Sequence, residues 1–193
     1  MTGDIFIRNH IVFKLSSYIN AGKANYALLY TKLFQSRIKR DYQGSFYAGI
    51  IMNATGQEQK AEAYYSGALR LFPYFEGALF NLGNLYFRQG KYDKAAEKYG
   101  RVLDINPLNS QAINNMGKAL IERKEYQQAV ILLEKAGPSR DDAYIKYNLA
   151  LAYYMSDNGT KALMILQELL ELSPDFTLAE ELLRKIKAGR GGV

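Results

Sequence analysis

Apolar positions return along this chain in a paired helical rhythm. Within residues 76–109, Leu79, Leu82 and Tyr86 recur at steps of three and four, and Ala95, Tyr99 and Val102 do so again after a polar break at Arg88–Lys91. That spacing predicts two helices of about a dozen residues, each with one buried face. The pattern repeats in register over 42–75, 76–109, 110–142 and 143–176. Position 8 of each unit is small (Gly49, Gly83, Gly117, Ala150), and so is position 20 (Ala61, Ala95, Ala129, Ala162). Small residues at those two places let the paired helices cross closely. A proline at position 32 (Pro73, Pro107, Pro174, and early at Pro138 in the 110–142 unit) ends the second helix. It has no N–H to donate and disfavours helical geometry in the residue before it. One such unit cannot bury its apolar face alone, so the units must stack.

With Leu79 at position 4, Leu82-Gly83 at 7 and 8, Tyr86 at 11, Ala95 at 20, Tyr99 at 24, Val102 at 27 and Pro107 at 32, the stretch 76–109 resembles the tetratricopeptide repeat. That repeat reads W-x2-L-G-x2-Y, then A-x3-F, then P. Leu stands for Trp here, Tyr for Phe and Val for Ala. The resemblance implies an all-α, right-handed tetratricopeptide-repeat (TPR) α-solenoid with four repeats at the boundaries above. Residues 1–41 carry the register backwards as a degenerate repeat or capping helix pair, with Tyr18 at 11, Gly22 at 15 and Ala27 at 20 but Lys14-Leu15 at 7 and 8. Residues 177–188 read as a C-terminal capping helix whose apolar stripe is Leu178, Leu182, Leu183 and Ile186, and 189–193 as a disordered tail.

Composition narrows the function classes. The 193 residues contain no cysteine and one histidine. Disulfides, zinc knuckles, thiol catalysis and multi-histidine metal sites are thereby excluded. His10 lies near Asp4, Ser16 and Ser17 in sequence, but a lone packing or surface histidine accounts for it better than a catalytic triad. No phosphate-binding glycine loop is present, so the chain reads as non-enzymatic and without a cofactor. No apolar run approaches the roughly 20 residues that span a bilayer. Arg8, His10 and Lys14 interrupt any signal-peptide core, which points to a cytoplasmic chain. Asn53-Ala54-Thr55 and Asn158-Gly159-Thr160 match the glycosylation sequon, a weak signal in that setting.

Charge is unevenly spread. Residues 1–41 hold seven Lys/Arg against two acids, 184–193 hold four against none, and 42–183 hold 14 against 17. A nucleic-acid binder is expected to carry a continuous basic face, so this distribution argues against RNA, the third reading of the chain.

The resemblance implies that the first helix of each unit lines a concave groove through positions 2, 5, 6, 9, 12 and 13. Asparagine holds position 6 three times running, at Asn81, Asn115 and Asn148. An amide offers donors and an acceptor together, which suits an extended peptide backbone. This row resembles the asparagine ladder of O-GlcNAc transferase, and packing against a neighbouring helix explains it equally well. The expected groove comprises Phe80, Asn81, Asn84, Asn115, Lys118, Tyr144, Tyr147 and Asn148, and its ligand is a protein or peptide segment. The carboxylate clamp of chaperone-tail binders is absent. Its two asparagines are matched by Asn84 and Asn115, but its three cations are replaced by Phe80, Tyr144 and Asn148, leaving nothing to neutralise a terminal carboxylate. The reading is therefore an interaction scaffold or adaptor, with a regulatory or substrate-reading module of a larger enzyme such as a glycosyltransferase as the alternative.

The N-terminal stretch carries apolar residues around more than one face: Ile5, Phe6, Ile7, Ile11, Val12, Phe13, Leu15, Tyr18 and Ile19. Excess apolar surface at the end of an array suggests a homodimer about a two-fold axis, with packing of the helix along the concave groove or cover by upstream repeats as the competing readings.

Overall fold

A computed structural model describes residues 2–136 and 142–190. Among these residues every regular element is a helix. The chain divides into two compact units, residues 1–89 and 90–193. The first holds α1 (Thr2–Asn20), α2 (Ala24–Leu33), α3 (Gln35–Ile38), α4 (Tyr42–Ala54), α5 (Glu58–Leu71) and α6 (Glu76–Arg88). The second holds α7 (Tyr92–Ile105), α8 (Ser110–Glu122), α9 (Tyr126–Glu134), α10 (Ala143–Met155), α11 (Gly159–Leu172) and α12 (Thr177–Arg190).

The repeat register sets these bounds. The first, or A, helices α4, α6, α8 and α10 open at position 1 of their units, and the second, or B, helices α5, α7, α9 and α11 open at position 17. Three A helices are capped by the side chain just before them. Asp41 accepts from Gly44 N–H at 2.8 Å, Asn109 from Ala112 N–H at 2.9 Å, and Asp142 from Tyr144 N–H at 2.9 Å, each satisfying a donor that the first turn leaves unpaired. Position 15 turns the chain between paired helices in the left-handed conformation, at Gly56 (φ 73°) and Gly90 (φ 70°) and also at Lys124 (φ 63°) and Asp157 (φ 61°). Pro73, Pro107 and Pro174 each follow the last turn of a B helix. The fourth expected proline, Pro138, lies outside the described residues.

The small residues at position 20 (Ala61, Ala95, Ala129, Ala162) are fully buried, as are the bulky ones at position 24 (Tyr65, Tyr99, Leu133, Leu166). In the C-terminal unit one continuous core runs from Ile113 through Leu149 and Leu166 to Leu182 and Ile186.

The ends follow the register in part. α2 opens at position 17 and Gly22 adopts φ 65° at position 15, so residues 8–41 keep a true B helix. Leu15 replaces the small residue at position 8 and is fully buried. The B helix is broken at Phe34, so α3 occupies the positions that the last turn of a single longer B helix fills in α5 and α7. At the other end α12 continues to Arg190, so residues 189 and 190 of the expected tail are helical, and 191–193 lie outside the described residues. Its buried stripe is Ala179, Leu182 and Ile186, while Leu178, expected within it, stands exposed. The helix is rotated so that the smaller residue meets the core.

Candidate functional site

The expected groove residues fall on three A helices. Phe80, Asn81 and Asn84 lie on α6 in the N-terminal unit; Asn115 and Lys118 lie on α8, and Tyr144, Tyr147 and Asn148 on α10, in the C-terminal unit. Each unit has its own geometry.

In the C-terminal unit the A helices are joined side by side through their asparagines. Asn148 is only 4% exposed, and its Nδ2 donates to Asn114 Oδ1 at 2.6 Å. The amide expected to meet a ligand at position 6 of α10 is therefore committed to the neighbouring repeat. Its partner Asn114 stands at position 5, itself one of the positions expected to line the groove. Asn115 is half-buried beside it and Lys118 is exposed one turn further along α8. Tyr144 is 57% exposed, yet Phe176 holds its ring edge-on with centroids 5.3 Å apart. Tyr147 is half-buried against the same phenylalanine at 5.9 Å. Burial, and after it the Glu181 carboxylate, raise the Tyr147 phenol above its ordinary range, so it stays protonated and able to donate. Lys185 Nζ of α12 sits 5.8 Å from the ring centroid of Tyr154, at position 12 of α10. Phe176, at position 34 in the break before α12, was not singled out in the sequence; it returns past α11 to brace position 2 of its own unit.

In the N-terminal unit Phe80, Asn81 and Asn84 are each half-buried. Here the link between adjacent A helices is Arg88, whose Nη2 donates to Asn53 Oδ1 and lies 3.8 Å from Glu58. Asn53, the first sequon asparagine, is thus engaged on α4. Asn158, the second, caps α11 by accepting from Lys161 N–H at 3.2 Å. His10 is exposed, and Ser16 Oγ donates to Phe13 O at 2.9 Å instead of to the imidazole.

On α1, Ile11 and Leu15 are buried within the unit while Ile7 and Phe13 are exposed; the side chains of Ile5 and Phe6 lie outside the described residues. Among the described residues no helix is long and apolar enough to cross a membrane.

A family model described as the Tetratricopeptide repeat protein 21 C-terminal ARM domain matches residues 71–187. Anaphase-promoting complex subunit 3 of Schizosaccharomyces pombe is 26% identical over 69% of this chain and 20% of its own length. Protein O-mannosyl-transferase TMTC3 of Homo sapiens is 34% identical over 58% of the chain and 13% of its own length. The chain thus spans a fifth or less of these two relatives. Among solved structures YrrB, described as a TPR protein with an unusual peptide-binding site, aligns with a TM-score of 0.81 over 90% of each chain at 17% identity. At that identity the likeness is one of fold.

Proposed function

Because this chain belongs to the tetratricopeptide-repeat family, we propose that it is a non-catalytic interaction module whose A-helix faces hold extended segments of partner proteins. In the C-terminal unit the contact face is Asn115, Lys118, Tyr144 and Tyr147, with Asn148 and Asn114 fixing the two helices that present it. In the N-terminal unit Phe80, Asn81 and Asn84 form the corresponding face of α6.

Tyr144 carries this reading. A tyrosine that is exposed but braced by Phe176 offers a large amphipathic surface at little entropic cost, as aromatic anchors at interfaces do. Asn115 supplies amide groups for a peptide backbone and Lys118 a cation for its acidic residues. The peptide-binding site ascribed to YrrB supports the same role. The O-mannosyl-transferase relative supports the second reading, in which a stretch of this kind serves as a module within a larger enzyme.

The test is selection of linear peptides from a random displayed library on the purified chain, followed by calorimetric titration of the winners. Asn115→Ala/Tyr144→Ala should weaken the selected peptides about thirtyfold, through lost contacts of about 1 kcal/mol each. Peptides that bind this folded double variant unchanged, or a selection that yields none, would overturn the assignment.

A further inference from the structure

A cavity of about 660 Å³ opens in the N-terminal unit among α2, α3, α4 and α5. Four cations line it: Lys32 of α2, Lys39 just after α3, and Lys60 and Arg70 from opposite ends of α5. No aspartate or glutamate does. Among the described residues none of the four is in an ion pair, and Lys60 bonds the neutral Gln57 amide at 2.7 Å. The acids of α5 are engaged elsewhere, Glu58 with Gln89 and Glu62 with the Tyr86 hydroxyl, both at 2.9 Å. α5 therefore presents cations to the cavity and spends its carboxylates on α6. Gly67 lines the cavity between Arg70 and Ser45, where a Cβ would make only ordinary contacts, 3.6 Å from Arg70 Nη2 and 3.8 Å from Ser45 Oγ.

We infer that this cavity is a docking trough for an extended acidic segment of a partner protein. Lys60 and Arg70 are separated by roughly 15 Å along α5, at about 1.5 Å per residue. One small anion cannot meet both, whereas an extended segment of about five residues spans the interval at about 3.3 Å each. Apolar Leu28 and Met52 also line the trough, so residues between the acids find apolar surface. A single-stranded nucleic acid fits less well, because such binding relies on base stacking against available rings. The one ring in the lining, Tyr64, is buried, with its hydroxyl 3.4 Å from Gln35 Nε2. The whole unit carries ten Lys/Arg against five Asp/Glu, a field that steers an acidic partner towards it. The trough uses none of the A-helix residues assigned above, so each site can fail without the other.

The experiment is fluorescence anisotropy with a labelled octapeptide of alternating glutamate and leucine, titrated with the full chain at low and moderate salt. Saturable binding is expected, weakening as salt screens it. Lys60→Glu/Arg70→Glu and Lys32→Glu/Lys39→Glu should each bind about tenfold more weakly, with Asn115→Ala/Tyr144→Ala unchanged. All four cations are exposed, so the variants should keep the parent circular dichroism, and Lys60→Gln/Arg70→Gln provides a milder pair if reversal disturbs folding. Absence of saturable binding, or equal affinity in folded cation variants, would overturn the trough. Tighter binding of a labelled oligouridylate, lost in the same variants, would replace the peptide with nucleic acid.

Discussion

Gly49 lies against the ring of Tyr65 so closely that a Cβ at Gly49 would come 2.5 Å from Tyr65 Cε1 and 2.6 Å from Cδ1. The same pair of repeat positions meets at Gly117 and Leu133, where a Cβ would come 2.7 Å from Cδ2. In these two repeats a bulky residue at position 24 is thus seated directly on the backbone of position 8, and the crossing distance of the two helices depends on glycine. Gly49→Ala should destabilise the chain by about 1–3 kcal/mol, because the buried Tyr65 ring has nowhere to move. Gly100→Ala in α7, where a Cβ would meet nothing within 4 Å, should instead stabilise by about 0.5–1 kcal/mol. Urea unfolding of both variants checks the pair; equal effects of the same sign would refute the close-approach account.

Lys124 and Asp157 hold left-handed backbone at position 15, where Gly22, Gly56 and Gly90 stand in the other turns. A side chain there costs roughly 1–2 kcal/mol relative to glycine, offset in part by the greater freedom of glycine in the unfolded chain. Lys124→Gly and Asp157→Gly should each raise the melting temperature by a few degrees, and a fall in either would show that the side chain contributes more than the turn costs.

Position 15 also shows how far the sequence reaches. Glycine marks the turn at Gly22, Gly56 and Gly90, but at Lys124 and Asp157 only the register locates it. Small residues at positions 8 and 20 and the prolines after α5, α7 and α11 are all local signals, which is why the helix order was legible. The site was legible as a set of helices and much less as a set of contacts. In the doublet Asn114-Asn115, neighbouring side chains diverge by about 100° around the helix; which one meets Asn148 depends on how α8 packs, and nothing in the doublet encodes it. The cations of the trough come from α2, the turn after α3 and the two ends of α5 and share no motif, so only tertiary structure brings them together.

Alkaline pH tests the buried phenols. Burial raises the Tyr65 phenol far above its ordinary range, against a smaller lowering by Arg88, and Tyr147 is raised too, chiefly by burial. A group whose folded pKa lies above its unfolded value keeps the folded chain protonated longer. Its stabilisation is complete below the ordinary tyrosine pKa of about 10 and is lost as pH climbs beyond it. Unfolding free energy should therefore be level near neutrality and fall above about pH 10, and Tyr65→Phe should make that fall shallower. A Tyr65→Phe profile parallel to the parent's would remove Tyr65 as a cause.

The bond from Asn148 to Asn114 joins adjacent repeats at one buried point, so its two ends should be energetically coupled. Asn148→Ala strands the Asn114 carbonyl, and Asn114→Ala strands the buried Asn148 amide donor. Asn114→Ala should cost about 1–3 kcal/mol, the penalty for leaving a buried polar group unpaired, and Asn148→Ala about 1 kcal/mol, because the half-buried Asn114 carbonyl can turn to water. Once either residue is gone the second substitution removes an orphan, so the double variant should cost less than the sum by about 1 kcal/mol. Additive losses would mean that the two amides do not depend on each other. The same variants separate positioning from contact. If Asn148 acts by holding α10 against α8, its substitution should weaken a selected peptide only in step with the loss of stability. Full stability with lost peptide affinity would place Asn148 against the ligand itself.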